Sequence, residues 1–149
     1  MDDAAHRRRI LMAQGYERVY VENEYWDGPV SGVADVDGVP SYFQSAYFAG
    51  EDEADSGEFL IWPIARSTLE AEIEHYLIFA EWLCNGQVGP HPGSPPKNVR
   101  FGELDEILAP LRRVPRTHRR RVASWASFDD DRYRLDGPGY LVRWSQKSP

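Results

Sequence analysis

The chain is almost without cysteine and lysine: Cys84 stands alone, and Lys97 and Lys147 are the two lysines beside fifteen arginines. A single cysteine excludes an internal disulfide and any cysteine-based zinc site, and it suits a reducing compartment. In a helical stretch, Cys84 is expected to serve as a small apolar residue. Long apolar runs are missing as well. The N-terminal segment passes from Arg7-Arg8-Arg9 through only Ile10 to Ala13 before Gln14-Gly15, shorter than a secretory signal requires. No stretch approaches the roughly 20 apolar residues of a membrane span, so a soluble, cytoplasmic protein with no membrane partner is expected. Also missing are a glycine-rich phosphate loop, a Gly-x-Ser-x-Gly elbow and a His-Glu-x-x-His pair. No motif therefore specifies a reaction, and no cofactor is expected. The excess of arginine over lysine is read as genome composition before phosphate recognition.

The 149 residues match one ordinary domain, and five Trp, eight Tyr and six Phe supply material for a core. Charge is divided unevenly along the chain. Residues 17–81 hold fifteen acids against Arg18 and Arg66, a net −13; residues 97–149 hold twelve bases against seven acids, a net +5. With +1 from residues 1–16, these sum to the overall −7. Such asymmetry suits either an acidic face that meets a basic partner or two halves that neutralise each other in the fold.

Asp2 or Asp3 can cap a helix reaching about Gln14, with Gly15 after its end. Tyr16 to Tyr25 then alternates as a strand, with Val19 and Val21 on one face and Arg18, Tyr20, Glu22 and Glu24 on the other. Asp27-Gly28-Pro29 stops it. Ser31 to Val36 and Val39 to Phe48 around Asp37-Gly38 form a hairpin, because Asp-Gly favours the tight primed turns. After an acidic loop over Gly50 to Gly57, Glu58 to Ala65 is a nearly continuous apolar strand. Ser67-Thr68-Leu69-Glu70 has the pattern of a capping box and opens the longest helix, which ends at Asn85-Gly86. Its apolar stripe is Leu69, Ile73, Tyr76, Leu77, Ala80, Leu83 and Cys84. Gln87 to Asn98 is a Pro- and Gly-rich loop, a short helix spans about Gly102 to Ala109, and a strand runs from Val122 to Phe128. A final hairpin pairs Tyr133 to Leu135 with Tyr140 to Trp144. The fold class expected is α+β in the order α-ββββ-αα-βββ: an antiparallel twisted sheet of about five to seven strands packed against one long central helix plus two shorter helices.

Several clusters could carry chemistry. Glu22 and Glu24 are expected on one strand face about 7 Å apart, beside Tyr20, Tyr25, Trp26 and Asp27. Paired carboxylates draw a cation, and an arginine of segment 112–121 is expected near them. Glu72 and His75 have the Glu-x-x-His spacing of a helical metal ligand pair, but no second pair exists, and a hydrated rim is the simpler reading. His91, between two prolines in the most irregular loop, is a candidate binding residue. Asp35-Val36-Asp37-Gly38 and Asp129-Asp130-Asp131 lack calcium-loop spacing and read as turns. The basic cluster Arg112 to Arg121 could meet nucleic acid, but the acidic net charge disfavours it.

Two functions follow as expectations. The first is a small bacterial-type interaction or regulatory module, immunity-like in size and charge, whose acidic aromatic face of Tyr20, Glu22, Glu24, Tyr25, Trp26 and Asp27 engages a basic protein surface or a second copy. The second is a small-molecule or metal-dependent enzyme whose carboxylates and His75 or His91 converge near the His91 loop. It requires residues far apart in sequence to meet in space.

Overall fold

The computed structural model describes residues 3–51, 54 and 57–146. The elements run α1 (Asp3–Ala13), β1 (Glu17–Tyr25), β2 (Pro29–Val36), β3 (Val39–Ser45), β4 (Glu58–Pro63), α2 (Arg66–Cys84), α3 (Val99–Leu108), β5 (Arg119–Ser127), β6 (Tyr133–Arg134), β7 (Gly137–Pro138) and β8 (Tyr140–Ser145). The α+β class and the four successive strands between the first two helices are as expected. Instead of an open sheet, β1-β2-β3-β4-β5-β8 close into a six-stranded antiparallel barrel. β5 and β8 pair over six positions, and β8 meets β1 only at Glu17↔Val142 and Arg18↔Leu141. The expected last hairpin is therefore replaced by a small β6–β7 ribbon, while β8 becomes the strand that seals the barrel and so loses its exposed edge.

Alternation along β3 and β4 builds two apolar layers. Phe43, Phe59 and Ile61 point inward with Val19, Ala34, Val36, Tyr140 and Val142, joined by Trp125 and Trp144. Phe43, Phe59, Trp125 and Trp144 stand 5.3–6.1 Å apart in tilted and edge-to-face contacts, so aromatic rings fill the barrel centre. Tyr42, Leu60, Trp62, Val21 and Val33 point outward, where Tyr76 and Ala80 of α2 cover them, with Leu69 and Ile73 at the margin. Phe101, Leu104 and Leu108 of α3 are buried in turn.

β1 departs from simple alternation. Val19 opposes Ala34 and Val21 opposes Val33, and Glu22 opposes Gly32 while Glu24 opposes Ser31, so two bulges each insert one residue. Each bulge reverses the side facing the barrel. Val19 thus joins the interior layer and Val21 the outer one, and Glu22 and Glu24 do not share a face. Gly32 makes the bend possible: a Cβ there would lie 2.2 Å from the Val21 carbonyl oxygen and 2.8 Å from the Phe43 ring.

The hairpin turn is of the primed kind, with Asp37 at φ 54° and Gly38 at φ 79° and both amides donating to the Glu17 carboxylate. The α2 capping box does not form: Ala65 is the N-cap, no side chain caps it, and Leu69 N–H closes the first turn on the Ala65 carbonyl. Ser67 and Thr68 thus lie inside the helix. Cys84, its last residue, is exposed rather than packed in the stripe. α3 begins at Val99, three residues earlier than expected, where the Asn98 side chain accepts from Phe101 N–H. Asp2 and much of the acidic loop, at 52, 53, 55 and 56, lie outside the described residues. No helix among the described residues is long and apolar enough to cross a membrane.

Candidate ligand cleft

Glu72 lies at the middle of the α2 face toward the barrel, fully buried rather than on a hydrated rim. A carboxylate in that position requires a countercharge and hydrogen bonds. Arg112, in the segment after α3, supplies both as a two-pronged donor, Nε to Oε2 at 2.8 Å and Nη2 to Oε1 at 2.7 Å. The Tyr42 hydroxyl of β3 donates to Oε2 at 2.5 Å. Burial and the neighbouring carboxylate push the Tyr42 phenol well above its ordinary range, so it remains a donor.

His75, one helical turn after Glu72, extends the network. Its Nε2 lies 2.7 Å from Asp105 Oδ1, its Nδ1 lies 3.5 Å from Arg112 Nη2, and its ring stacks on Phe101 with centroids 4.0 Å apart. Arg112 can only donate, so Nδ1 is the acceptor and Nε2–H donates to Asp105. Burial, then the Arg112 charge, lowers the His75 pKa despite Asp105. Lys97 closes the chain at 3.0 Å from Asp105 Oδ2. Burial alone would raise the Asp105 pKa, but the hydrogen bonds from Lys97 and His75 outweigh it and hold it low. Glu72 and His75 are thus committed to Arg112, Tyr42 and Asp105. Among the described residues no group of three or more His, Cys, Asp or Glu is placed to hold a metal ion.

Beside this network opens a cleft of about 290 Å³, lined by Glu22, Asn23 and Tyr25 of β1, His75, Tyr76 and Phe79 of α2, His91, Phe101, Arg112, Arg132 and Tyr133. The bulged β1 brings Glu22 to its floor, where the side chain is 2% exposed, accepts from Tyr140 Oη at 2.7 Å and lies 3.6 Å from Arg132 Nε. The cation paired with Glu22 is therefore Arg132, outside segment 112–121, while Arg112 of that segment lines the same cleft. The Arg132 guanidinium is held over Tyr25 at 3.8 Å and Tyr133 at 4.6 Å, and donates to Tyr133 Oη at 2.7 Å. Burial first, then Glu22, pushes the Tyr133 phenol up to about 12. His91 reaches the rim because its loop is fastened: Trp82 Nε1 donates to the Gly89 carbonyl, Asn98 N–H donates to the Pro92 carbonyl, and the His91 ring packs on Phe79 and Trp82. His91 Nδ1 accepts from Gly93 N–H at 2.9 Å, which leaves Nε2 as the other ring nitrogen.

Of the residues singled out from sequence, Glu22, Tyr25, His75 and His91 meet in the cleft. Tyr20 does not: its hydroxyl donates to Asp35 and Arg18 covers its ring. Glu24 accepts from Ser31 and, with Arg112, lines an adjoining cavity of about 200 Å³. Trp26 and Asp27 lie at the mouth of the barrel instead, around an open hollow of about 670 Å³ that reaches Phe59 and Trp125. Trp26 is 75% exposed there, next to the half-exposed Tyr47 and Phe48. Arg112 lies where an arginine of segment 112–121 is expected, lining the cleft with Glu22 and the adjoining cavity with Glu24. Arg132 is not expected there, because nothing local to it indicates its partner.

No protein-family model, curated protein or solved structure matches this chain.

Two outcomes test the network. Arg112→Met should cost about 3 kcal/mol or more by leaving a buried carboxylate without its cation, and Glu72→Gln combined with Arg112→Met should cost less than Arg112→Met alone. Urea unfolding of the single and double variants measures this, and strict additivity contradicts it. The depressed His75 pKa means that the unfolded chain binds the more protons just below the ordinary value of 6.5, so stability falls as pH drops through that window. A thermal-melt series from pH 7.5 to 5 should show this slope, and His75→Gln should flatten it; equal slopes contradict the assignment.

Proposed function

We propose that the protein binds a small organic molecule in the cleft between β1, α2 and the His91 loop. The observation that carries this reading is convergence: Glu22 and Tyr25 from β1, His75 and Phe79 from α2, His91 from the loop, and Arg112 and Arg132 from the C-terminal half surround one cavity. Five segments of the chain contribute aromatic walls and a few directed polar groups, the usual composition of a ligand pocket. The chemistry favours binding over catalysis. Both His75 nitrogens have protein partners, and Glu22 already accepts from Tyr140, so neither is placed as a free base. The metal-dependent form of the enzyme reading has no cluster of ligands behind it among the described residues.

A thermal-melt screen of common metabolites tests this, since a ligand that prefers the folded protein raises the midpoint in a dose-dependent way. We expect an organic hit whose shift is reduced in His91→Ala, an exposed rim residue, and that persists in EDTA. Hits that all require a divalent metal, or none at all, contradict the reading.

A second reading is favoured by one separate observation, the exposed Trp26 beside Tyr47 and Phe48 at the barrel mouth. An aromatic group of this kind on an acidic protein would anchor a basic protein surface or a second copy of the chain. Glu22 and Glu24 contribute little to that face, being held by Tyr140 and Ser31. Trp26→Ala should leave the melting temperature within a degree or so and weaken capture of a basic partner at low salt; unchanged capture removes Trp26 as the anchor.

A further inference from the structure

We infer that the ligand of the cleft is a small planar aromatic carboxylate, an inference that rests on the ligand-binding reading above. The polar groups around the cleft have unequal freedom. Its acids are already engaged: Glu22 accepts from Tyr140 and lies beside Arg132, and Glu72 is saturated by Arg112 and Tyr42. What remains is mostly donor capacity. Arg112 commits Nε and Nη2 to Glu72, which leaves its Nη1 without a protein partner among the described residues. Arg132 donates to Tyr133 from Nη2, faces Glu22 with Nε and has Tyr25 as a further partner, so its spare donor capacity is smaller than that of Arg112. His91 accepts at Nδ1, so in its neutral form the proton is on Nε2, a third donor. Asn23 and the Tyr25 and Tyr133 hydroxyls also line the cleft, and these groups offer acceptors as well.

A cavity whose unused groups are mainly N–H donors, two of them on guanidinium ions, selects an oxygen-rich anion. A carboxylate is the match, because guanidinium and carboxylate form the stronger charge-assisted hydrogen bonds. Both arginines are held before any ligand arrives, Arg112 by Glu72 and Arg132 between Tyr25 and Tyr133. Little side-chain freedom is left to lose on binding. The rest of the lining is aromatic. Phe79 meets Tyr133 edge to face at 5.3 Å and Phe101 backs onto His75, surfaces suited to a flat ring. The cavity of about 290 Å³ limits the occupant to one or two rings.

Calorimetric titration with four probes tests the class: benzoate and indole-3-carboxylate as acids, benzamide as the neutral isostere and benzylamine as the cation. Both acids should bind at least about tenfold more tightly than the amide, and benzylamine more weakly still. Arg132→Gln should remove about tenfold of the acid affinity and leave benzamide affinity unchanged, and His91→Ala, in an exposed loop, should reduce acid affinity without affecting the fold. If benzamide or benzylamine binds as well as the acids, with affinity that falls in His91→Ala, the cleft is a binding site and the carboxylate assignment is overturned. If none of the four binds, the assignment falls together with the ligand-binding reading.

Discussion

The buried Glu72–Arg112 pair is the interaction on which the rest of this structure depends. A fully buried carboxylate in the face of a helix is unfavourable unless its charge is matched and its lone pairs are occupied. Here Arg112 and Tyr42 do both. The three residues come from α2, the segment after α3 and β3, so a single polar node registers the helices against the outer wall of the barrel. Replacing that node by apolar side chains would be compatible with a stable core. What the ion pair adds is placement: Arg112 is fixed by Glu72 at the wall of the cleft.

Charge asymmetry along the chain acquires a physical meaning in the same way. Acids of the first half are met by bases of the second: Glu72 by Arg112, Glu51 and Glu58 by Arg120, Asp37 by Arg121 at 4.0 Å, Glu22 by Arg132 and Glu74 by Arg100. The exposed pairs contribute little to stability individually. The two with buried carboxylates in the cleft region, Glu72 and Glu22, set its geometry. Of the two possibilities that composition left open, internal neutralisation describes Glu22, whereas Glu17 and Glu24 of β1 are held by backbone amides and by Ser31.

Much of the local structure is legible in the sequence because local rules decide it. Asp37-Gly38 dictates its turn through positive φ, Gly86 at φ 77° terminates α2, and the apolar run from Phe59 to Trp62 forms a fully buried strand. Barrel closure was not legible, because it depends on β8 reaching back to both β1 and β5, and pairing partners leave no mark on local periodicity. The bulges in β1 are equally hidden: an inserted residue looks like ordinary alternation until the facing strand is known, so alternation alone places Glu22 on the surface. The burial of Glu72 is hidden for a related reason, since its partner lies forty residues away. Tyr25, His75 and His91 stand out as unusual residues in informative places, whereas Arg132 gains its role only from the folded contacts.

The most direct test of this architecture is nitrogen-15 NMR of the Arg112 guanidinium in the ligand-free protein. With Nε and Nη2 bound to Glu72, rotation about the guanidinium bonds is restricted, and we expect separate, slowly exchanging resonances for these donors with faster exchange at Nη1. A single averaged, rapidly exchanging signal for Arg112 would show that no fixed pair exists, and the preset donor edge of the cleft would fall with it.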